Sequence, residues 1–274
     1  MKKIKINNFE LSNDNPFVLI AGPCVIENKN HALKIANEIH KICNEIDLNF
    51  IFKSSFDKAN RTSIKSERGV GLKEAIDIFS EIKDKFKCPI ITDVHDTNQC
   101  ELLSDNDVVD ILQIPAFLCR QTDLLLSAGK TNKIVNVKKG QFLSPGDIPN
   151  IIEKIISTSN DNIMITERGT SFGYNNLVSD FRSLDIMKET KYPIIYDVTH
   201  SIQEPGGFGT SSGGKREFIP SLSKAAISIG VAGLFIETHD NPNNAPSDGP
   251  NMLNINNLKK LLIELKEFDK LAKS

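Results

Sequence analysis

What this chain lacks narrows it first. No stretch approaches the roughly 18 apolar residues of a membrane span. The start, M-K-K-I-K-I-N-N-F, lacks the apolar run of a secretory signal. No C-x-x-C pair occurs among the cysteines at 24, 43, 88, 100 and 119, an odd number at irregular spacing. That pattern predicts reduced cytosolic thiols rather than a disulfide framework. Excess charge of either sign is missing too: a formal net charge of -2 gives no general attraction to nucleic acid or anionic membrane. Any strong positive field must therefore be local. No internal repeat, low-complexity linker or domain boundary interrupts the chain. These absences point to a cytoplasmic globular protein, in keeping with its 39% hydrophobic and 25% charged residues.

What is present is alternation. Short apolar runs at 17–21, 50–53, 89–93, 111–114, 134–137, 163–166, 194–197 and 234–237 are mostly continuous β-branched or aromatic segments. Such runs suit parallel strands covered on both faces. Amphipathic helical patterns lie between them, at 32–46, 72–86, 148–157, the 220s to 229, and finally 255–271. Eight βα units in 274 residues predict an α/β fold, a single (β/α)8 TIM barrel over 1–274 that serves as the catalytic domain. An open doubly wound sheet needs a Gly-rich phosphate turn after its first strand, which G-P-C-V does not provide. The leader at 4–11 alternates apolar and polar residues around N-N, predicting a short β-hairpin that closes the barrel floor. The loop at 205–214, P-G-G-F-G-T-S-S-G-G, reads either as surface or as a lid over the site.

In a barrel of this kind, functional groups gather where strands end. Those places hold an unusually polar inventory here, in two groupings. The first is cationic: Lys53, Lys58, Arg61, Arg120, Lys138 and Arg168 are expected at one barrel mouth. In a slightly acidic protein this predicts a site for a polyanion bearing phosphate and carboxylate. The second is Cys24, His200, Glu237 and Asp248, from the ends of strands one, seven and eight, which adjoin in a closed barrel. One thiol, one imidazole and two carboxylates suit a borderline divalent ion such as Zn or Fe, with a position left for water or substrate. Each has a bland reading as well, a buried Cys being most often a small hydrophobe.

Six blocks in fixed order carry a resemblance: F-K-S-S-F-D-K-A-N-R-T-S, Q-I-P-A-F-L-C-R-Q-T-D, N-V-K-K-G-Q-F-L-S-P, T-E-R-G, D-V-T-H-S and G-L-F-I-E-T-H. Along essentially its whole length the chain resembles the 3-deoxy-D-manno-octulosonate 8-phosphate synthase family. The resemblance implies condensation of phosphoenolpyruvate with D-arabinose 5-phosphate and water, releasing phosphate, on the path to lipopolysaccharide. It implies the metal-dependent class, because A-G-P-C places Cys24 where the metal-independent class carries Asn. One divalent ion per subunit, Zn, Fe or Mn, would then be held by Cys24, His200, Glu237 and Asp248.

The same resemblance gives Lys53, Ser55, Lys58, Gln113, Ala116, Lys138 and Arg168 to phosphoenolpyruvate. Asn60, Arg61, Thr62 and Arg120 go to arabinose 5-phosphate. Arg120 resembles a residue that reaches the pentose phosphate of a neighbouring subunit, implying a homo-oligomer, a tetramer in this family. Cys24, Asp93, His200 and Asn60 are the expected catalytic residues, with Asp93 and His200 moving protons. The ion either orients or activates water or polarises the aldehyde. Two rivals stand beside this reading. The sister 3-deoxy-D-arabino-heptulosonate 7-phosphate synthases typically carry K-P-R-T-S where this chain has K-A-N-R-T-S. A non-catalytic barrel that only binds a phosphorylated metabolite is expected to have lost ligands or rim cations.

Overall fold

The computed structural model describes residues 1–61, 63–207 and 212–274. Eight parallel strands form its centre: Val18–Gly22, Phe50–Lys53, Ile90–Asp93, Ile111–Ile114, Ile134–Lys138, Ile163–Glu167, Ile194–Asp197 and Gly233–His239. Each pairs with its neighbours in chain order, and the eighth pairs with both the seventh and the first, so the sheet closes. The expected (β/α)8 barrel is what forms, with strand ends displaced by a residue or two. Helices pack around it, among them Lys29–Glu45, Leu72–Phe86, Ile148–Ile156, Ile219–Ser228 and Leu258–Ala272.

Local capping explains the helix boundaries that differ from expectation. The first helix begins at Lys29 because the Asn28 side chain accepts a hydrogen bond from the His31 amide. Residues Ile255–Asn257 form a 3-10 turn instead of opening the last helix, since the Asn254 side chain caps the Asn256 amide. The leader is a hairpin of Ile4–Ile6 and Phe9–Leu11. Asn7 supplies its turn at φ 48, a left-handed conformation that Asn tolerates.

Two apolar cores result. The larger lies between strands and helices. The smaller fills the barrel floor, where Ile4, Ile6 and Leu11 of the hairpin meet Ile51, Ile91, Ile111, Ile195 and Phe235. The hairpin therefore closes the floor, as its alternation predicts. Strand periodicity then decides what lies above it. Side chains two residues on face the same side, so Ile51 is followed by Lys53, Ile91 by Asp93, Ile111 by Gln113, Ile195 by Asp197 and Phe235 by Glu237. Each of these five strands thus changes from apolar to ionic or amide on the same inward column.

Gly22 ends the first strand because nothing larger fits: a Cβ there would lie 1.9 Å from the Lys53 carbonyl oxygen. That close approach of two backbones lets Cys24 and Lys53 share one corner of the barrel mouth, where Lys53 Nζ donates to the Cys24 carbonyl at 3.2 Å.

Candidate active site

A cavity of about 710 Å³ opens at the carboxyl ends of the strands. Lys53, Lys58, Arg61, Lys138 and Arg168 line it, with Asp93, Gln113, Ala116, Asn60, His200 and Asp248. Five of the six expected rim cations therefore converge. Arg120 does not: it is exposed and lies outside the lining, because it follows the turn Ala116–Leu118 that carries the chain outward before the next helix. Ser55 is buried beneath the lining rather than in it. Thr62 and residues 208–211 of the glycine-rich loop lie outside the described residues.

Three donors meet beside the cavity, Asp248 lining it and Cys24 and Glu237 buried behind it. Ligand atoms of Cys24, Glu237 and Asp248 all lie within 4.8 Å of one another. Cys24 Sγ donates to Asp248 Oδ2 at 3.1 Å. His200 Nε2 faces the group, 3.8 Å from both Glu237 Oε1 and Asp248 Oδ2. Asp197 accepts from His200 Nδ1 at 2.7 Å, which turns the other nitrogen inward. A carboxylate holding the far nitrogen of an imidazole is the usual support for a metal-ligating histidine. Glu237 Oε1 accepts from Lys53 at 2.8 Å, while its buried Oε2 has no partner among the described residues. Asp248 is held in the left-handed region at φ 51, a conformation that orders backbone at cost and recurs at functional sites. The donor set and the unpartnered oxygen fit one divalent cation.

A second histidine group, Glu27, His31 and His239, does not read as a ligand set. The Asn241 amide donates to His239 Nδ1 at 2.8 Å, so the ring proton sits on Nε2 and is accepted by Glu27 at 2.7 Å.

Electrostatics follow the same geometry. Burial pushes the Cys24 thiol well above its ordinary value, and Glu237 and Asp248 push it further than Lys58 and Lys53 pull it back. For Asp93, burial acts upward, but Lys53 and Lys58, with His95 and the hydrogen bond from Ser55, together outweigh it and hold the carboxyl low. Asp248 is likewise held well below the carboxylate range, burial being overcome by attraction to His200 and Lys58 and by the hydrogen bond from Cys24. Burial lowers Lys138 and Arg168, opposed by Asp197. Lys138 Nζ donates to Asp197 at 2.6 Å and sits 3.7 Å from the Phe235 ring centroid, whose π face stabilises it. Arg168 Nε is buried without a partner among the described residues. An anion would satisfy it.

A polar ring lies below these groups. Asp93 accepts from Ser55 and Gln113; Gln113 Oε1 accepts from Asn136 at 3.1 Å; Asn136 Oδ1 accepts from Thr166 at 2.7 Å. Ser55 thus reaches the site through Asp93. Arg61 donates to Ser247 Oγ at 2.7 Å and to the Pro246 carbonyl, tying the loop after strand two to the loop that carries Asp248. The sequence reading gave no role to Asp197 or Gln203. The D-x-x-H spacing across a helical turn was the available signal for Asp197; Gln203 had none, since its partners lie in two other loops.

The DAHP synthetase I family model matches residues 3–274. A 2-dehydro-3-deoxyphosphooctonate aldolase of Bartonella henselae is 56% identical over 270 residues, covering 98% of this chain and 96% of the relative. A protein of the same name from Rickettsia prowazekii is 56% identical over 274 residues, covering 100% and 99%. Another, from Brucella anthropi, is 54% identical over 270 residues, covering 98% and 97%.

Proposed function

This chain belongs to the DAHP synthetase I family, and we propose that it condenses phosphoenolpyruvate with D-arabinose 5-phosphate and water to give 3-deoxy-D-manno-octulosonate 8-phosphate and phosphate. It is an enzyme that forms a carbon–carbon bond, a transferase of lipopolysaccharide precursor synthesis. The observation that carries the reaction is identity of 54–56% over nearly the full length of relatives bearing that aldolase name. The cavity's chemistry supports the same reading.

Phosphoenolpyruvate carries a carboxylate and a phosphate close together. Lys138 and Arg168, with Lys53 and Lys58, line the same cavity and offer fixed positive charge to such a polyanion. Gln113 and Ala116 shape its floor, and Ser55 holds Asp93 in place. The enolic C3 attacks the aldehyde carbon, and the aldehyde oxygen takes a proton to become a hydroxyl. Positive charge develops at C2, where water adds and loses a proton; the bond from C2 to the phosphate oxygen then breaks, phosphate departs, and the new C2 hydroxyl gives up its proton to leave the ketone. Asp93, held as a carboxylate and lining the cavity, would accept a proton. His200 has Nδ1 engaged by Asp197, a support that suits Nε2 either to hold an ion or to move a proton.

Cys24, His200, Glu237 and Asp248 would hold one divalent ion, Zn, Fe or Mn. Such an ion, when bound, supplies Lewis acidity to a water or to the aldehyde. Asn60, Arg61 and Thr62 would receive the sugar phosphate. Arg120, exposed and outside its own cavity, would serve the site of a neighbouring subunit in a cytoplasmic homotetramer. No helix among the described residues is long and apolar enough to cross a membrane.

The test is phosphate release with phosphoenolpyruvate and either arabinose 5-phosphate or the four-carbon aldose phosphate that a heptulosonate product requires. Release with the pentose alone is expected. Release with the four-carbon sugar alone overturns the substrate assignment, and release with neither favours a binding barrel.

A further inference from the structure

Gln203 joins the two halves of the cavity. Its Oε1 accepts from Arg168 Nη2 at 2.9 Å, and its Nε2 donates to Asp248 Oδ1 at 2.9 Å. The amide orientation is fixed by chemistry: a guanidinium only donates and a carboxylate only accepts, so one terminus of the amide must face each. Asp248 spends its other oxygen on Cys24, and Arg168 keeps a buried Nε without a partner among the described residues. Gln203 thus ties a carboxylate of the donor set to a guanidinium that still has one buried N–H to give.

The backbone of Gln203 is held as firmly as its side chain. Gln203–Glu204 pairs antiparallel with Gly213–Gly214, the stem of the glycine-rich loop. Gly214 in turn packs against the side chain of Asn251: a Cβ there would lie 1.4 Å from Asn251 Oδ1. Asn251 is only three residues beyond Asp248. The stem after strand seven is thus locked to the loop after strand eight, with Gln203 at the junction.

We propose that Gln203 is a positioning residue that couples the anion clamp to the metal-ligand set, so that occupancy of either half orders the other. This rests on the reading of the cavity given under Proposed function. An ion held by Asp248 would order Gln203 and, through it, Arg168, the group that would receive phosphate. By linkage, phosphoenolpyruvate on Arg168 strengthens ion binding by the same factor. An amide spanning two charged groups contributes on the order of a tenfold effect at each end.

The experiment reads two equilibria without turnover. The Zn²⁺ dissociation constant is measured against a competing chelator. Phosphoenolpyruvate binding is measured by calorimetry on metal-free and Zn²⁺-loaded protein, with no aldehyde present. Wild type is expected to bind phosphoenolpyruvate more tightly when loaded. Gln203→Met, nearly isosteric and unable to bridge, should weaken Zn²⁺ about tenfold and bring the two phosphoenolpyruvate constants together. Gln203→Asn keeps the amide but is one methylene too short, and should behave like the Met variant. Unchanged thermal midpoints establish that both fold.

Either folded variant retaining the wild-type ratio of constants overturns the coupling role. So does a wild-type protein that binds both ligands independently, and the reaction assignment then stands. A wild-type protein that binds neither Zn²⁺ nor phosphoenolpyruvate sinks the cavity reading and this inference together.

Discussion

Asp197 Oδ2 accepts from His200 Nδ1 at 2.7 Å while Asp197 Oδ1 accepts from the His200 backbone amide at 2.9 Å. One carboxylate thus caps the short turn and sets the ring, leaving Nε2 aimed at Glu237 and Asp248. Replacing such a supporting carboxylate usually costs about 10- to 100-fold in metal affinity. Asp197→Asn is accordingly expected to weaken divalent-ion binding by that range, read by chelator competition. Lys138, which also donates to Asp197, loses its partner charge, so phosphoenolpyruvate binding changes with it.

As a ligand, Cys24 would couple metal binding to pH. Its thiol is held well above the ordinary value by burial and by neighbouring carboxylates, so the metal-free protein keeps the proton at neutral pH. Ligation requires the thiolate, and one proton must leave. Ion affinity is expected to rise about tenfold per pH unit below that thiol value, from this group alone. Cys24→Asn should weaken ion binding and flatten the slope. An unchanged metal content and slope would argue against Cys24 as a ligand.

Asp93 has its folded carboxyl depressed by Lys53 and Lys58 against the opposing effect of burial. A depressed acid contributes stability that is present above its unfolded value, near 3.9, and is lost as pH falls toward the folded one. Asp93→Asn should therefore reduce the loss of stability between about pH 4 and lower pH, seen in acid-unfolding curves. The same variant should leave ion binding intact and lower turnover by about a hundredfold. Unchanged turnover would remove its proton-accepting role.

The barrel and most of the lining were legible because a strand has period two. Ile51 before Lys53 and Ile91 before Asp93 declare one inward column, and all eight strand segments stand out as apolar runs. What could not be read was lateral. Gln203 contacts Arg168 and Asp248 across three different loops, and no spacing along the chain encodes that meeting. Arg120 sits at the end of a strand block, yet the turn after Pro115 leaves it exposed outside its own cavity, so of its two expected places only the rim of that cavity is excluded.

Gly22 offers a stability test independent of catalysis. A Cβ there meets the Lys53 carbonyl at 1.9 Å, against backbone on both sides, so neither strand relaxes cheaply. Gly22→Ala should destabilise by about 3 kcal/mol, measured as a lower midpoint in urea. A wild-type midpoint would mean the first two strands separate more easily than the closed sheet suggests.

The central claim is that one cavity joins a metal-ligand set to an anion clamp and makes 3-deoxy-D-manno-octulosonate 8-phosphate there. Its most direct test is phosphate release from phosphoenolpyruvate and arabinose 5-phosphate by protein stripped of metal and then reloaded. No release is expected after stripping, with recovery as one equivalent of divalent ion per chain is restored. Full release by the exhaustively stripped protein would contradict it.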